Sequence, residues 1–308
     1  MDSLCDVSVM SRLAGMMVVL ILGTALRHWG VLNERRTDTL NRITYILALP
    51  SLIFVSTFNR SITTLMTPSL LFGSLATLFV TFGVAKVLYH RINEPARQSV
   101  ATVQSYHSNL GYLGFPLVAA TFDEEITAVA SLILGVVSLT QVALTILVLT
   151  SINEGSTTIR SEMSQLASNP ILFALIAGIL IGELSATPPI IIISGLDFAG
   201  MFALPLALVC VGASFQTRGL RSDTYLTVSI LVIKLALMPI VAAVVFGVLV
   251  DNPAVFTAAV VMFATPTAVS TYVFSTELGG DTNFASFNVF VSTFVSIFSL
   301  LMIITTVE

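Results

Sequence analysis

Residues 106–116 read Tyr-His-Ser-Asn-Leu-Gly-Tyr-Leu-Gly-Phe-Pro, in the middle of an apolar segment that runs from about Ser99 to Phe122. The two glycines and the proline disfavour an uninterrupted helix, because Pro116 lacks a backbone donor and its ring clashes with the preceding turn. In lipid, irregular backbone survives only where protein or a water-filled cavity covers it. A broken helix at membrane depth therefore indicates a binding site.

The composition is that of a polytopic membrane protein. Of the 308 residues, 56% are hydrophobic and 10% are charged, and the mean hydropathy is +0.97. A soluble domain carries about 25% charged residues, and no soluble fold of this length could bury so much apolar sequence. The net charge of −4 is too small to indicate a class of partner, and we expect no nucleic acid. Cys5 and Cys210 lie in unrelated segments, so the sequence predicts no disulfide, no metal site and no cofactor.

Ten stretches are apolar enough to cross a bilayer, for which a helix needs about 20 residues. Ten basic residues lie in or beside the loops on one side, whereas only Arg12 and Arg60 lie on the other. The positive-inside rule therefore predicts an integral protein of the cell or inner membrane, with cytoplasmic basic loops and both termini outside. The ten predicted spans are Ser11–His28, Arg42–Phe58, Pro68–Tyr89, Ser99–Phe122, Ile126–Ser151, Asn169–Gly182, Pro189–Phe215, Tyr225–Val250, Pro253–Thr276 and Asn283–Thr306.

The two halves of the chain resemble one another. The tripeptide Ala-Leu-Pro ending at Pro50 recurs at Pro205, an offset of 155 residues, and Pro116 matches Pro266, an offset of 150. Because five spans is an odd number, the second unit must enter the membrane from the opposite side. We predict an all-α membrane protein of two inverted five-helix repeats, residues 1–151 and 169–308, joined by a short cytoplasmic connector at 152–168. A proline-interrupted helix at the same place in each copy is typical of a secondary transporter with its site at the midplane.

Four motifs in order along the chain, which together extend over most of its length, resemble one known family. They are Asn41-Arg-Ile-Thr-Tyr-Ile-Leu-Ala-Leu-Pro50, Asn109-Leu-Gly-Tyr-Leu-Gly-Phe-Pro116, Leu204-Pro-Leu-Ala-Leu-Val-Cys-Val-Gly-Ala-Ser214, and Ala264-Thr-Pro-Thr-Ala-Val-Ser-Thr-Tyr272 followed by Gly279-Gly-Asp281. This is the auxin efflux carrier family, which includes the PIN-type auxin exporters and bacterial carriers of malonate and related organic acids.

The resemblance implies a fold similar to the bile-acid sodium symporters. Spans one, two, six and seven would form a scaffold that commonly dimerises. Spans three to five and eight to ten would form a moving transport domain, in which the broken fourth and ninth spans cross. Two features depart from PIN carriers. The connector Glu154–Ser168 is too short for a loop on which kinases act, and Leu70–Leu88 in the third span contains no Asp or Glu, which leaves auxin itself and carboxylate-based coupling open.

The two breaks predict a seat for an anion rather than a cation. At a helix break, one half presents unpaired N–H groups and the positive end of its dipole, which suit a carboxylate. Asn109 could instead only cap the broken helix, and Gln141 could hydrogen-bond a neighbouring helix. Thr265 and its neighbours contribute from the second half. The predicted substrate-binding residues are Asn109, Gly111, Gly114, Pro116, Gln141, Thr265, Pro266, Thr267 and Ser270; no catalytic residue is predicted.

Two ionisable residues at membrane depth are candidates for a charge or coupling role. Lys234 lies near the centre of the eighth span, where a charge is costly and usually faces a cavity or a partner. It could attract an anionic substrate or act as a surrogate cation in the empty site; alternatively it snorkels or binds helix-end carbonyls. His107 could carry a proton or could be a packing residue.

These features predict a secondary active transporter that moves a small organic anion, auxin-like or a dicarboxylate, by alternating access. We expect it to act in the lipid bilayer as a homodimer. A channel-like or uniport pathway and a membrane sensor of the same fold are the alternatives. An enzyme is not predicted: Gly212-Ala213-Ser214 superficially resembles a rhomboid serine motif but has no obvious histidine partner. The sequence leaves open the substrate, the direction of transport and the coupling ion.

Overall fold

A computed structural model describes residues 15, 18–58, 66–153, 170–184, 188–213 and 223–307. Within these ranges the chain is helical, with one isolated β-bridge and no strand. The helices, α1–α15, and three π-helical segments, π1–π3, are α1 Val18–His28, α2 Glu34–Ile43, π1 Thr44–Ala48, α3 Leu49–Phe58, α4 Pro68–Tyr89, α5 Pro95–Gln104, π2 Leu110–Gly114, α6 Phe115–Thr121, α7 Glu124–Asn153, α8 Pro170–Glu183, α9 Ile190–Gly200, α10 Ala203–Ala213, α11 Thr224–Val232, π3 Ile233–Leu237, α12 Met238–Leu249, α13 Pro253–Phe263, α14 Ser270–Glu277 and α15 Thr282–Val307.

Six helical runs in the described ranges are long and apolar enough to cross a membrane, which confirms the predicted class of protein. Four shorter apolar helices accompany them, and each of the ten predicted spans overlaps one of these ten helices. The number of crossings and the inverted symmetry stay predictions. The six long runs are Arg35–Phe58, Pro68–Tyr89, Glu124–Asn153, Ile190–Cys210, Thr224–Leu249 and Thr282–Val307; the four shorter helices are Val18–His28, Leu110–Thr121, Phe173–Glu183 and Pro253–Phe263.

The predicted fourth and ninth spans are both divided, and the first break lies upstream of where the proline would put it. Helix α5 ends at Gln104 and helical backbone resumes at Leu110, so the break comprises residues 105–109. The explanation through Pro116 was wrong, because helical backbone continues without a gap from Leu110 past Pro116 to Thr121. Pro266, by contrast, does lie in its break, between α13 and α14.

Each π segment is followed by a proline two residues after its end. The prolines are Pro50 after π1, Pro116 after π2 and Pro239 after π3. The ring of a proline in a helix clashes with the carbonyl four residues earlier, and a wider π turn moves that carbonyl away. The residue between segment and proline donates five residues back in each case, as Phe115 does to the Leu110 carbonyl. The prolines therefore mark local widening of three helices rather than their ends.

Helix α7 is the central element of the described structure. It packs against α3, α4, α5, α6, α13 and α14, and its residues from Thr127 to Gly135 are buried without a gap. Other helices pack on one another in pairs, such as α8 on α3 and α12 on α4. Because α7 is long, apolar and packed against so many helices, it positions the two breaks.

Glycines allow the closest helix contacts. A Cβ on Gly212 would overlap the Leu20 carbonyl oxygen of α1, and a Cβ on Gly23 would overlap the backbone of Val209 in α10. The Thr24 hydroxyl donates to the Gly212 carbonyl over 3.1 Å. Small residues bring membrane helices together in this way, so Gly212 in the rhomboid-like motif is a packing residue. The serine of that motif lies outside the described residues.

One ion pair ties α5 to the turn between α14 and α15. The Arg97 Nε lies 3.1 Å from the Asp281 Oδ2 and 3.2 Å from the Glu94 Oε2, and the Asp281 N–H donates to the Ala96 carbonyl over 3.1 Å. The hydrogen bond to the Asp281 carboxylate raises the pKa of the Arg97 guanidinium. The ends of the two divided helices are therefore joined on this side.

Candidate functional site

The two breaks are hydrogen-bonded to each other. Ser108 and Thr267 form an isolated antiparallel β-bridge. The Asn109 N–H donates to the Pro266 carbonyl over 2.8 Å, and the Ala268 N–H donates to the His107 carbonyl over 3.0 Å. Backbone without helical partners must be paired when it is buried, and each break supplies the partners that the other lacks. The breaks from the two halves of the chain thus form one structure.

Gln141 of α7 closes the other edge of the first break. The Ser108 N–H donates to the Gln141 Oε1 over 3.1 Å, and the Gln141 Nε2 donates to the Ser108 carbonyl over 3.0 Å. Both residues are buried. Of the two uses that the sequence leaves open for Gln141, the structure has its amide bound to the backbone of the break.

A polar network that the sequence interpretation missed is centred on Gln104, the last residue of α5. Its Nε2 donates to the Thr271 hydroxyl over 3.1 Å and to the Ala285 carbonyl over 2.9 Å. Its Oε1 accepts from Asn288 Nδ2 over 3.0 Å, and the Asn288 Oδ1 accepts from Thr227 over 2.8 Å. The network connects α5, α11, α14 and α15. A glutamine within the predicted fourth span, five residues before Asn109, was the available signal in the sequence.

His107 is buried beside α7, where its Nδ1 lies 2.8 Å from the Thr145 hydroxyl oxygen. The Tyr106 hydroxyl lies 3.1 Å from the same oxygen. The ring of His107 also stacks on Tyr106 at 6.5 Å between centroids and faces Phe274 at 6.2 Å. This surrounding of aromatic rings and one hydroxyl fits the packing alternative, and a proton-carrying role for His107 stays a prediction.

Lys234 lies at the edge of the two breaks. Its side chain is fully buried in π3, and its Nζ donates to the Phe263 carbonyl over 3.0 Å and lies 3.2 Å from the Met238 Sδ. The Ser108 hydroxyl lies 3.6 Å from the same sulfur, so Met238 connects the lysine to the first break. No carboxylate of a described residue lies within 4.0 Å of the ammonium. A membrane charge normally has a partner, and here the acceptors are one carbonyl and one weakly accepting thioether.

The Asn109 side chain is buried but does not cap the following helix. Its Nδ2 is one of two buried side-chain polar atoms in the described structure that have no hydrogen-bond partner; the other is the Ser74 Oγ of α4. The Asn109 carbonyl accepts from the Gly114 N–H over 2.9 Å, while the side chain makes no capping hydrogen bond. An unpaired buried donor costs about 1–3 kcal/mol, so this amide fits a group that accepts hydrogen bonds.

The other predicted contact residues differ in whether their side chains already have hydrogen-bond partners and in how closely they are packed. The hydroxyls of Thr265 and Thr267 already donate, over 2.8 Å each, to the carbonyls of Met262 and Gln104. Gly114 is packed closely, because a Cβ there would lie 2.9 Å from the Thr265 Cγ2, whereas the nearest atom to a Cβ on Gly111 would be 3.8 Å away. The structure therefore brings most of the predicted residues together around the breaks. Pro116 and Pro266 lie in α6 and in the second break, and Ser270 begins α14 and is half-buried.

Comparison with known proteins gives consistent matches along the chain. Residues 8–304 match the family model described as "Membrane transport protein". An "Uncharacterized transporter" of Methanothermobacter thermautotrophicus is 27% identical over 294 residues, which cover 92% of this chain and 93% of that protein. A "Putative malonate transporter" of Rhizobium meliloti is 24% identical over 266 residues, which cover 84% of this chain and 83% of that protein.

Proposed function

The chain belongs to the family of membrane transport proteins, and we propose that it is a secondary active transporter that carries a small organic anion. The family identifies the protein as an integral membrane transporter. The class of cargo and the mechanism are our proposal. The observation that carries it is the buried ammonium of Lys234, which lies against the two breaks without a carboxylate partner among the described residues.

An anionic substrate would supply what this site lacks. The Lys234 ammonium has three donors and uses one on the Phe263 carbonyl and one on a thioether sulfur. The unpartnered Nδ2 of Asn109 adds further donors in the same region. A carboxylate oxygen accepts such bonds strongly and would neutralise the lysine, whereas a cation would add to its charge. Both features favour an anion.

We propose a mono- or dicarboxylate of small size as the substrate. The relative of Rhizobium meliloti is named for malonate, a dicarboxylate, and an ammonium and an amide can both donate to a carboxylate. Gly111, the first glycine after the break, is half-buried, and a Cβ there would meet only the ends of two apolar side chains at van der Waals distance. A carboxylate beside Gly111 would also lie at the N-terminal end of the second half-helix, where backbone N–H groups favour negative charge.

The mechanism that we propose is alternating access between two inverted repeats, residues 1–151 and 169–308. In this proposal the first two predicted spans of each repeat form a scaffold that pairs two copies of the chain. The remaining three predicted spans of each repeat move as a unit, and this unit contains the two breaks. The hydrogen bonds of the Asn109 N–H to the Pro266 carbonyl and of the Ala268 N–H to the His107 carbonyl support this, because they join the two breaks. Cytoplasmic basic loops and outward termini belong to the same proposal.

We propose that a cleft of about 280 Å³ on the side of the proposed cytoplasmic loops is the entrance to the site. It lies between the turn that joins α4 to α5 and the beginning of α11, and it is lined by Arg97, Asp223 and Tyr89 among others. The hydroxyl of Tyr89, one of the lining residues, lies 3.2 Å from the Ser105 Oγ and 3.0 Å from the Ser229 Oγ. Since Ser105 is the first residue of the break, movement of Tyr89 would connect the cleft to the site.

Counterflow in proteoliposomes tests the proposal. Vesicles loaded with unlabelled malonate should take up radiolabelled malonate faster than empty vesicles, and other small carboxylates should compete. The uptake should saturate, which distinguishes a carrier from a channel. A linear, voltage-driven current would indicate the channel alternative. Failure of every organic anion, including malonate and indole-acetate, to compete or to be taken up would contradict the proposed cargo.

A further inference from the structure

The loop between α1 and α2 holds an exposed tryptophan in a defined conformation. Trp29 is 69% exposed and Val31 is 48% exposed. The Trp29 N–H donates to the Ala25 carbonyl over 2.9 Å and the Leu32 N–H donates to the Leu26 carbonyl over 3.0 Å. Between them the chain turns at Gly30, whose φ of 74° favours glycine. The loop is therefore fixed by its backbone while two apolar side chains point outward.

Two arginines hydrogen-bond to this loop, and a third, Arg35, lies next to one of them in the sequence. The Arg36 Nη1 donates to the Val31 carbonyl over 2.6 Å and the Arg27 Nη1 donates to the Leu32 carbonyl over 3.4 Å. Each guanidinium has five N–H donors, so most of them remain available. Arg35 and Arg36 are exposed. No carboxylate of a described side chain, Asp38 of the same helix included, lies within 4.0 Å of either one.

The position of the loop indicates the kind of partner. It joins the end of the apolar helix α1 to the run Arg35–Phe58, which is long and apolar enough to cross a membrane. Tryptophan at the end of a membrane helix lies at the level of the lipid headgroups, and a guanidinium pairs with phosphate through two parallel hydrogen bonds. We propose that Trp29, Arg35 and Arg36 form a binding site for the headgroup phosphate of an anionic phospholipid. This site is independent of the proposed transport function.

The chain offers a specific probe for this site, because Trp29 is the single tryptophan among the 308 residues. The purified protein is reconstituted into phosphatidylcholine vesicles that contain equal mole fractions of either brominated phosphatidylcholine or brominated phosphatidylglycerol. Bromine on the acyl chain quenches tryptophan fluorescence only at short range. We expect the brominated anionic lipid to quench Trp29 roughly twice as strongly as the brominated neutral lipid. A rising sodium chloride concentration should reduce this excess quenching by the anionic lipid, because salt screens the interactions of exposed charges.

A pair of variants identifies the residues responsible. Arg35→Gln combined with Arg36→Gln should abolish the excess quenching, whereas Arg91→Gln, which removes an exposed arginine from the loop after α4, should preserve it. Inorganic phosphate should compete no better than chloride of equal ionic strength; specific competition would assign the site to free phosphate. Equal quenching by both lipids, quenching by neither, or an excess that survives the double variant and high salt would each overturn the proposal.

Discussion

The side-chain amide of Gln141 hydrogen-bonds both the N–H and the C=O of Ser108, as a neighbouring β-strand would. The opposite edge of the same short stretch is bonded to residues 266–268. The first break is therefore held from both sides, once by α7 and once by the other half of the chain.

Replacing Gln141 with leucine should loosen this arrangement. The buried Ser108 N–H would lose its partner, at a cost of about 1–3 kcal/mol, and the Ser108 carbonyl would keep only the hydrogen bond from the Leu110 N–H. We expect a lower unfolding temperature and a malonate counterflow rate reduced roughly tenfold or more. Thr140→Val is the matched control, because the Thr140 hydroxyl donates only to the Val136 carbonyl of its own helix. Equal effects of the two substitutions would contradict the role of Gln141.

Lys234→Met tests the proposed anion partner. Removing the ammonium should weaken carboxylate binding roughly 10- to 150-fold, since hydrogen bonds to charged groups contribute about 1.5–3 kcal/mol. The unfolding temperature should stay the same or rise, because a buried charge without a counter-ion is replaced by an apolar side chain of similar length. Lys86→Met serves as the control: Lys86 is exposed, with its Nζ 5.8 Å from the ring centroid of Phe82. Normal transport by the Lys234 variant would remove this residue from the mechanism.

Asn109→Ala separates substrate contact from structural support. The Nδ2 of Asn109 makes no hydrogen bond in the described structure, so its removal should leave the unfolding temperature unchanged or raise it. Transport should nevertheless fall, with a substrate affinity lower by roughly tenfold. Uptake and affinity equal to those of the parent protein would show that Asn109 does not contact the substrate.

Two glycine substitutions test the packing around the second half-helix. A Cβ on Gly114 would lie 2.9 Å from the Thr265 Cγ2 and 3.2 Å from the Met262 Sδ, whereas a Cβ on Gly111 would meet nothing nearer than 3.8 Å. Gly114→Ala should therefore destabilise the protein by about 1–3 kcal/mol through overpacking. Gly111→Ala should change the stability little. Unfolding temperatures measured in detergent compare the two, and a larger loss for Gly111→Ala would contradict the described packing.

The membrane class and the approximate helix positions could be predicted from hydropathy, because each predicted span is decided by its own composition. Helix boundaries that are set by a single capping residue were harder to predict. The second predicted span begins at Arg42, whereas α2 begins at Glu34, where the Asn33 Oδ1 accepts from the Arg36 N–H over 3.0 Å. The proline argument found the right stretch for the first break but the wrong cause, since π2 accommodates Pro116.

The contacts of the site could not be predicted, because they join residues far apart in sequence. Gln141 and Ser108 are 33 residues apart, and Gln104 and Asn288 are 184 residues apart. A polar residue in an apolar span predicts some partner but does not indicate which one. The position of Lys234 at the edge of both breaks likewise depends on how α12 packs against α4 and α13. That packing is a property of the whole fold.

The three π segments have a consequence for how this chain can vary. A π turn contains about one residue more than the α-helical turn that it replaces, so the helix after it is rotated by about 100° relative to an uninterrupted one. In π3 the widened turn includes Lys234 and precedes Pro239. Deletion of one residue from any of these turns would change which side of the following helix faces its neighbours, even where every remaining side chain is conserved. Insertions and deletions at these three places should therefore be tolerated less well than most substitutions nearby.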